Sequence, residues 1–319
     1  MDEGPGRSRV RVPRGMADRA REFAAAGLRP AVPRDAATVV LVRPGPVVSG
    51  VEVFLLRRTK ALEFAPGACV FPGGSVDERD ADPAIAETAW IGPAPADLGH
   101  LLGISAERAR ALVCAAVRET FEESGVLLAG PSPAEVVPDS ALLEQDRRAL
   151  LDGSVSLDEL LSRRGLKLRA DLLTPWARWI TPEISPRRFD TWFFAAALPD
   201  GQLAVLPSGR PGGSSPPRGA WGDRSPQEQG GSGGDRSPRD NTESDSGTWW
   251  RPSAALEAAR AGEITLLPPT AVTLAELAAY QDIAGVLAER RVITPLMPTV
   301  VVEDERAWLA MPQAVEYPL

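Results

Sequence analysis

Residues 118–126, "RETFEESGV", place Glu119, Glu122 and Glu123 at the spacing i, i+3 and i+4. If this stretch is helical, all three carboxylates lie on one face of the helix. Like charges at that spacing destabilise an isolated helix by roughly 0.2–0.5 kcal/mol per pair. The stretch therefore requires either full solvation of its acidic face or a partner that compensates the charge.

The residues just before this stretch decide between the two possibilities. The segment "ARALVCAAV" (109–117) is strongly apolar and predicts a largely buried helix, with Ser105 as its N-cap and Gly125 at its C-terminal end. Buried carboxylates must be paired or bound to a metal. Arg118 alone cannot neutralise three glutamates, and hard oxygen ligands in such number suit Mg²⁺ or Mn²⁺. A solvated acidic face is the alternative.

Upstream of the helix, the sequence predicts strands that lead to a glycine loop. "ATVVLV" (37–42) and "VEVFLLRR" (51–58) are apolar and rich in β-branched residues. "APGACVFPGGSV" (65–76) predicts a short strand that ends at Gly73 and Gly74, where the backbone can approach a ligand closely. Residues 83–103 are expected to contain short helices.

Downstream, strands and helices alternate. The predicted helices are two within 139–165, the second opening with a capping box at Ser156, and one each at 252–261 and 270–290. The predicted strands are 176–182, 188–198 and, as a strand or extended tail, 299–304.

Three segments are expected to lie outside a compact core. Residues 207–247 are dominated by Gly, Pro and Ser and contain the pentad "GDRSP" twice, which predicts a disordered insertion. Residues 1–36 are expected to form a flexible tail leading into a short helix, and 293–319 a C-terminal extension. A swollen loop within one domain accounts for 207–247, and a linker between two domains is the alternative.

Composition excludes several classes of function. The chain of 319 residues has a net charge of −8 and no basic stripe, which argues against nucleic-acid binding. One histidine, His100, makes a His-based zinc site or a Ser-His-Asp triad improbable, and two cysteines do not form a disulfide framework. The sequence contains no apolar run of membrane-spanning length and no secretory signal, so we expect a cytoplasmic protein that does not enter a membrane.

The acidic stretch and the glycine loop together resemble the Nudix box, G-x5-E-x7-R-E-U-x-E-E-x-G-U, in which U is an apolar residue. "RETFEESGV" is similar to the second half of the box, with Thr120 at the first U position. Gly74-x5-Asp80 is similar to the first half, with Asp in place of Glu. The spacer is much longer than seven residues, and we assign the insertion within it to 81–110.

A split box of this kind resembles the acyl-coenzyme A diphosphatase branch of the Nudix family. Three further stretches are similar to that branch: "LLRRTKALEFAPGACVFPGG" (55–74), "WITPEISPRRFDTWFF" (179–194) and "LLPPT" (266–270). The resemblance implies an α/β fold, an α/β/α sandwich around a mixed sheet. The helical insertions and the long disordered loop expected from the sequence would be additions to this fold. The domain would comprise 37–206 and 248–292.

The resemblance also implies roles for the box residues. Glu119, Glu122 and Glu123 would be ligands of Mg²⁺ or Mn²⁺, joined by the carbonyl group of Gly74. Arg118 would hold the glutamates and the glycine loop in register through charge-assisted hydrogen bonds. The role of Asp80 is left open.

The activity implied is hydrolysis of a nucleoside diphosphate linked to another group, with coenzyme A or acyl-coenzyme A as the expected substrate. NADH, ADP-ribose and oxidised nucleoside triphosphates are alternative substrates. A Nudix-fold binding module that has lost catalysis, and a scaffold whose long loop recruits a partner, are alternatives from other classes. The oligomeric state is not predicted.

Several residues are candidates for the remaining catalytic and binding roles. The general base would be Glu119 or Glu123 of the box, or Glu243 near the end of the 207–247 segment, with Glu183 in reserve. Phosphate groups would be held by arginines that flank strands and by the glycine loop; the candidates are Arg187, Arg188, Arg58, with Arg57 beside it, and Gly73. For the arginines, a solvated strand end is the alternative interpretation.

Overall fold

The computed structural model describes residues 9–12, 14–45, 50–59, 65–206, 244–303, 306–313 and 315–319. Its strands, in chain order, are β1 Arg9–Arg11, β2 Arg34–Pro44, β3 Val51–Arg58, β4 Ala68–Val70, β5 Gly73–Ser75, β6 Trp90–Ile91, β7 Ala129–Gly130, β8 Lys167–Arg169, β9 Thr174–Ile180, β10 Phe189–Ala197, β11 Ser244–Trp250, β12 Thr265–Leu266, β13 Pro295–Leu296, β14 Thr299–Glu303 and β15 Arg306–Ala310. Its helices are α1 Arg14–Ala25, α2 Ala84–Thr88, α3 Pro95–Leu102, α4 Ala106–Ser124, α5 Glu144–Leu151, α6 Leu157–Arg164, α7 Pro252–Arg260, α8 Pro268–Leu277 and α9 Ile283–Ala288.

The main sheet is mixed, as predicted. Along its central path the strand order is β12-β4-β3-β2-β10-β9-β13. Two further strands lie off this path: β11 pairs with β3, and β5 pairs with β2. β2 is parallel to β10 and antiparallel to β3 and β5. Successive β2 residues are buried on both faces, as the apolar run in its sequence requires of a central strand.

Helices cover both faces of this sheet, which confirms the predicted α/β/α sandwich. On one face, Val39 and Phe54 pack with Phe121 of α4 in one core cluster. On the other face, Val40 packs with Leu274 of α8 in a second cluster. Two smaller sheets, β1-β15-β14 and β6-β8-β7, flank this arrangement. None of the described helices is both long enough and apolar enough to span a lipid bilayer.

The insertion at 81–110 is helical. It contains α2 and α3, followed by a left-handed turn at Gly103 (φ 68°) and the first turn of α4. Ser105 is the N-cap of α4, as predicted, and its side chain accepts a hydrogen bond from the Arg108 amide at 3.2 Å. Leu98 and Leu102 of α3 join the core cluster beneath α4, so the insertion packs against the domain.

Three segments differ from the sequence-based expectations. The region 1–36 was expected as a flexible tail leading into a short helix; it contains that helix, α1, but also β1, which pairs with β15 of the C-terminal extension. The helix expected at 270–290 is divided into α8 and α9, because the Asp282 side chain caps a new helix start by accepting a hydrogen bond from the Gly285 amide at 2.8 Å.

The third difference concerns the end of the Gly/Pro/Ser-rich segment. Most of the expected disordered insertion, residues 207–243, lies outside the described residues. The candidate base Glu243 lies outside them as well. Residues 244–247 were expected to belong to the insertion, but they begin β11 and pair with β3. Gly247 is suited to this position because a Cβ atom there would come within 2.5 Å of the Phe54 ring.

Candidate active site

The last two turns of α4 carry the acidic stretch to the edge of the glycine loop. The helix ends at Gly125, which adopts the left-handed conformation (φ 71°) that terminates helices and favours glycine. Arg118 is 8% exposed, so its side chain is enclosed rather than solvated. The apolar residues that precede it in the helix bury this face, as the sequence predicted.

Arg118 connects the two halves of the box. Its Nε and Nη2 atoms donate to the two carboxylate oxygens of Asp80 at 2.9 and 2.8 Å. Nη2 also donates to the Ser75 carbonyl oxygen at 3.0 Å. Nη1 donates to Glu119 Oε1 at 2.8 Å and to the Glu122 carboxylate at 3.3 and 3.4 Å. One guanidinium group therefore contacts three carboxylates and one carbonyl.

Asp80, whose role the sequence left open, is a structural partner of Arg118. It is 3% exposed, and its Oδ2 atom also accepts a hydrogen bond from the Asp77 amide at 2.8 Å. This contact and the Asp77 side chain form a capping box on the short 3₁₀ turn at Glu78–Ala81. Both carboxylate oxygens of Asp80 therefore accept hydrogen bonds that hold Arg118 and the loop after β5 in place.

The glycine loop lies so close to its neighbours that only glycine fits at positions 73 and 74. The Gly73 amide donates to Glu123 Oε2 at 2.8 Å. A Cβ atom at Gly74 would lie 2.5 Å from the Glu119 carboxylate, and one at Gly73 would overlap the Ala37 carbonyl oxygen. Both glycines are therefore required where β5 pairs with β2, beneath the acidic turns of α4.

The charges at this end of α4 do not balance. Arg118 contacts three carboxylates, those of Asp80, Glu119 and Glu122. Burial raises the pKa of Glu119 to about 7, and the charge of Arg118 offsets this only in part. Burial also raises the pKa of Glu122. Burial opposes the charge of Arg118 as well, but its hydrogen bonds with Asp80 and the charge of Glu119 raise its pKa on balance.

The donor set fits a divalent cation, although the three glutamates do not converge. Among the described residues, no group of three or more His, Cys, Asp or Glu side chains is arranged to hold a metal ion. Arg118 contacts both Glu119 and Glu122, whereas Glu123 accepts from Gly73. The fit rests on the chemistry: hard carboxylate oxygens with excess negative charge, and a glycine backbone that the Glu119 carboxylate approaches closely.

The arginines predicted to bind phosphate differ in their surroundings. Arg188 is 7% exposed and donates to the carbonyl oxygens of Thr181 and Ala31 at 3.0 and 2.8 Å, and to the Met297 sulfur at 3.3 Å. These structural contacts use three of its five N–H groups, and a phosphate-binding role for Arg188 stays a prediction. Arg187 is exposed.

Two further candidates have clear positions in the fold. Arg58 ends β3 and follows Phe54 and Leu56, which face α4, so strand alternation places it on the same face of the sheet. Glu183 is exposed in the loop between β9 and β10. Glu243 lies outside the described residues.

A second charged cluster, at the start of α4, escaped prediction from the sequence. Arg108 donates to both oxygens of Asp35 at 2.5–3.1 Å and to Asp190 Oδ2 at 2.8 Å. Arg178 donates to Asp190 at 2.8 and 2.6 Å. The only sequence signal was an aspartate near the start of each of the parallel strands β2 and β10, which lie opposite each other in the sheet.

A cavity of about 970 Å³ lies apart from the box residues. Trp176, Glu276 and Arg291 line it, and Glu276 Oε2 accepts hydrogen bonds from both of the others at 2.8 Å. Glu276 and Arg291 are therefore paired with each other, and the cavity contains none of the box residues.

The chain resembles a protein of known structure over most of its length. It is similar to the crystal structure of a Nudix hydrolase from Alicyclobacillus acidocaldarius, with a TM-score of 0.57 and 25% sequence identity. The similarity covers 82% of this chain and 98% of that one. The acidic end of α4 is similar to the second half of a Nudix box, and Gly74 and Asp80 are similar to its first half.

The sequence relatives of this chain include proteins named for one activity. It is 26% identical over 273 residues to the acyl-coenzyme A diphosphatase NUDT19 of Xenopus laevis, which covers 74% of this chain and 62% of that protein. It is 33% identical over 199 residues to the human protein of that name, covering 49% of this chain and 50% of the relative. The chain thus spans less than two thirds of the length of these relatives. No protein-family model matches it.

Proposed function

We propose that this chain is a divalent-metal-dependent hydrolase that cleaves the diphosphate bond of a nucleoside-diphosphate-linked substrate. The observation that carries the proposal is the buried, unbalanced cluster at the end of α4, where Arg118 contacts Asp80, Glu119 and Glu122 beside the glycine loop. Similarity to Nudix hydrolases supports the same reaction class.

Residues of the box would hold the ion. We propose Glu119, Glu122 and Glu123 as ligands of Mg²⁺ or Mn²⁺, together with the Gly74 carbonyl group. When bound, the metal supplies neutralisation of the phosphate oxygens and a lowered pKa for water in its coordination sphere. Arg118 fixes the direction of the glutamates, and Asp80 fixes Arg118, so the carboxylate oxygens are oriented before the substrate arrives.

The remaining roles rest on position. Glu119 and Glu123, which face the glycine loop, are candidates for the general base, and Glu243 and Glu183 remain further candidates. Arg58 lies on the α4 face of the sheet and is proposed to contact the diphosphate, as is the backbone of Gly73. Arg187, exposed at the start of β10, is proposed to contact a more distant phosphate of the substrate.

For the substrate we propose coenzyme A or acyl-coenzyme A. Support comes from the names of the relatives and from the split box with its helical insertion. Hydrolysis of the diphosphate would then release adenosine 3′,5′-bisphosphate and 4′-phosphopantetheine or its acyl form. Arg187→Ala should raise the KM for coenzyme A more than the KM for its 3′-dephospho form if Arg187 contacts the 3′-phosphate. An equal loss for both would place Arg187 at the diphosphate instead.

The test is a product analysis with the whole chain. Coenzyme A, an acyl-coenzyme A, NADH, ADP-ribose and an oxidised nucleoside triphosphate are each incubated with Mg²⁺ or Mn²⁺, and the products are separated by chromatography. We expect the highest kcat/KM for coenzyme A or its acyl form. If NADH or ADP-ribose exceeds coenzyme A by about a hundredfold in kcat/KM, the substrate proposal is wrong but the reaction class stands. If none is cleaved, the chain is a binding module rather than an enzyme.

A further inference from the structure

Arg147 lies outside the Nudix box but contacts the helix that carries it. This residue of α5 is 2% exposed. Its Nε atom donates to the Glu122 carbonyl oxygen at 3.0 Å, and Nη2 donates to the Val205 carbonyl oxygen at 2.9 Å. Nη1 contacts the Glu144 carboxylate at 3.4 Å. A buried guanidinium group therefore joins the acidic turn of α4 to another segment of the chain.

The carbonyl groups at the end of α4 require such partners. The last four carbonyls of an α-helix have no donor within the helix. In α4, the Phe121 carbonyl accepts from the Gly125 amide at 2.9 Å, and the Ser124 carbonyl accepts from the Val205 amide at 2.6 Å. Arg147 supplies the donor for Glu122. Two segments distant in sequence thus fix the turn that bears Glu122 and Glu123.

The junction is tightly packed. A Cβ atom at Gly125 would lie 3.0 Å from Nη1 of Arg147 and 3.3 Å from the Val205 carbonyl oxygen. The left-handed glycine that ends α4 therefore also makes room for Arg147. The chain enters residues 207–243 directly after this junction.

The acidic turn needs an external restraint for a physical reason. Glu119, Glu122 and Glu123 repel each other, and they stand at the end of the helix where the backbone dipole is already negative. Both effects favour loss of the last helical turn. Arg147 opposes both effects, because its positive charge lies at the end of the helix and donates to the Glu122 carbonyl group. Its planar guanidinium group also donates to Val205, which fixes the turn relative to that residue.

We propose that Arg147 is a positioning residue of the active site, which holds the Glu122–Glu123 turn in the geometry that binds the divalent metal. This inference rests on the proposed function. Groups behind the ligands of a metal commonly change its affinity by about 10–100-fold when they are removed. Here the contact is to the backbone of a proposed ligand rather than to its carboxylate.

Arg169 provides a matched control. It is 6% exposed, makes a two-pronged contact with Asp171 at 2.7 and 2.8 Å, and donates to the carbonyl oxygens of Ser132 and Glu135 at 3.3 and 3.0 Å. It lies in β8 of a small sheet and contacts no residue of the box. Its removal takes a guanidinium donor away from two carbonyl groups, as removal of Arg147 does, without touching α4.

The experiment compares Arg147→Met, Arg147→Lys and Arg169→Met in the whole chain. Mn²⁺ affinity is measured by titration calorimetry, thermal stability by the melting temperature, and coenzyme A hydrolysis by kcat and KM. We expect both Met variants to melt at lower temperature, but only Arg147→Met to lose at least about tenfold in Mn²⁺ affinity. Its kcat should fall more than its KM rises. Arg147→Lys keeps the charge but cannot reach both carbonyls, and should lie about threefold below the unaltered protein in affinity.

Different outcomes separate this inference from the proposed function. If Arg147→Met does not fold, Arg147→Lys decides the matter. Unchanged Mn²⁺ affinity in the Arg147 variants, or the same loss in Arg169→Met, would overturn the role of Arg147 and leave the metal site in place. If the unaltered protein binds no Mn²⁺, the proposed function falls and the inference with it.

Discussion

The two ends of α4 carry arginine–carboxylate clusters of opposite character. At the start of the helix, Arg108 and Arg178 contact Asp35 and Asp190, two cations for two anions. At its end, Arg118 contacts Asp80, Glu119 and Glu122, and Glu123 accepts a hydrogen bond from the Gly73 amide of the adjacent glycine loop. Both clusters join the same helix to the same sheet, so their difference lies in charge.

The pKa values record that difference. Burial opposes the charge of Asp190, but its hydrogen bonds with Arg178 and Arg108 lower its pKa on balance. At the other end, burial raises the pKa of Glu119 to about 7 despite Arg118. The first cluster is complete and stabilises the fold. The second places three carboxylates around one guanidinium group, and the proposed function uses this excess of negative charge.

The largest expected effect is loss of turnover at the unbalanced end. Glu122→Gln and Glu123→Gln should each reduce kcat by at least about a hundredfold, because loss of a metal ligand removes several kcal/mol of transition-state stabilisation. Steady-state kinetics with saturating Mn²⁺ would measure this. Circular dichroism should show an intact fold. Turnover within a few-fold of the unaltered enzyme would mean that neither glutamate is a ligand.

The balanced end should show the reverse pattern. Asp190→Asn leaves Arg108 and Arg178 without their shared carboxylate, and should reduce the free energy of unfolding by about 2 kcal/mol, since both arginines are partly exposed. Hydrolysis per folded molecule should remain within about twofold, as the site lies at the other end of α4. Chemical denaturation and kinetics on the same preparation measure both. A large loss of turnover at full stability would show that the two ends are functionally coupled.

A smaller effect concerns acid stability. Because the pKa of Asp190 is lowered in the folded state, its ionisation stabilises the fold above the ordinary carboxyl value of 3.8, and this stabilisation disappears as the pH falls through the lowered pKa. Asp190→Asn should therefore lose its stability deficit relative to the unaltered protein at the acid end of a pH series. A constant difference in the free energy of unfolding at every pH would contradict the ion pairing.

The smallest effect is expected from the segment beyond Val205. Deletion of residues 209–240 should change the melting temperature by no more than about 2 °C, because a Gly/Pro/Ser-rich segment buries little apolar surface. Both ends of α4 should retain their properties, and Glu243 is spared. A large cooperative loss of stability would show that the segment belongs to the core.

The sequence predicted the cluster at the end of α4 better than the cluster at its start. The reason is that the residues of the first are close together in the sequence, whereas those of the second are not. Arg118 and the three glutamates fall within one stretch, and helical spacing places them together without knowledge of the fold. Arg108 and Asp190 are separated by 82 residues and meet only because β2 and β10 are parallel neighbours. Arg147 likewise reaches Glu122 and Val205 across the fold, and no local pattern marks it.

Secondary structure followed the same rule. The predicted range of β3 is the observed one, and the caps of α4 at Ser105 and Gly125 were both correct. The division of 270–290 at Asp282 was missed, although Asp is a common N-cap, because the apolar pattern continues across it. The pairing of β1 with β15 depends on contact between distant parts of the chain.

The central claim is that the charge deficit at the end of α4 is filled by a divalent cation. It is tested most directly by equilibrium titration of Mn²⁺ into the substrate-free chain, with Glu122→Gln and Asp190→Asn as the paired variants. The account predicts binding to the unaltered protein and to Asp190→Asn, and an affinity at least about tenfold weaker for Glu122→Gln. Equal affinity in all three proteins, or full hydrolysis in excess EDTA, would contradict it.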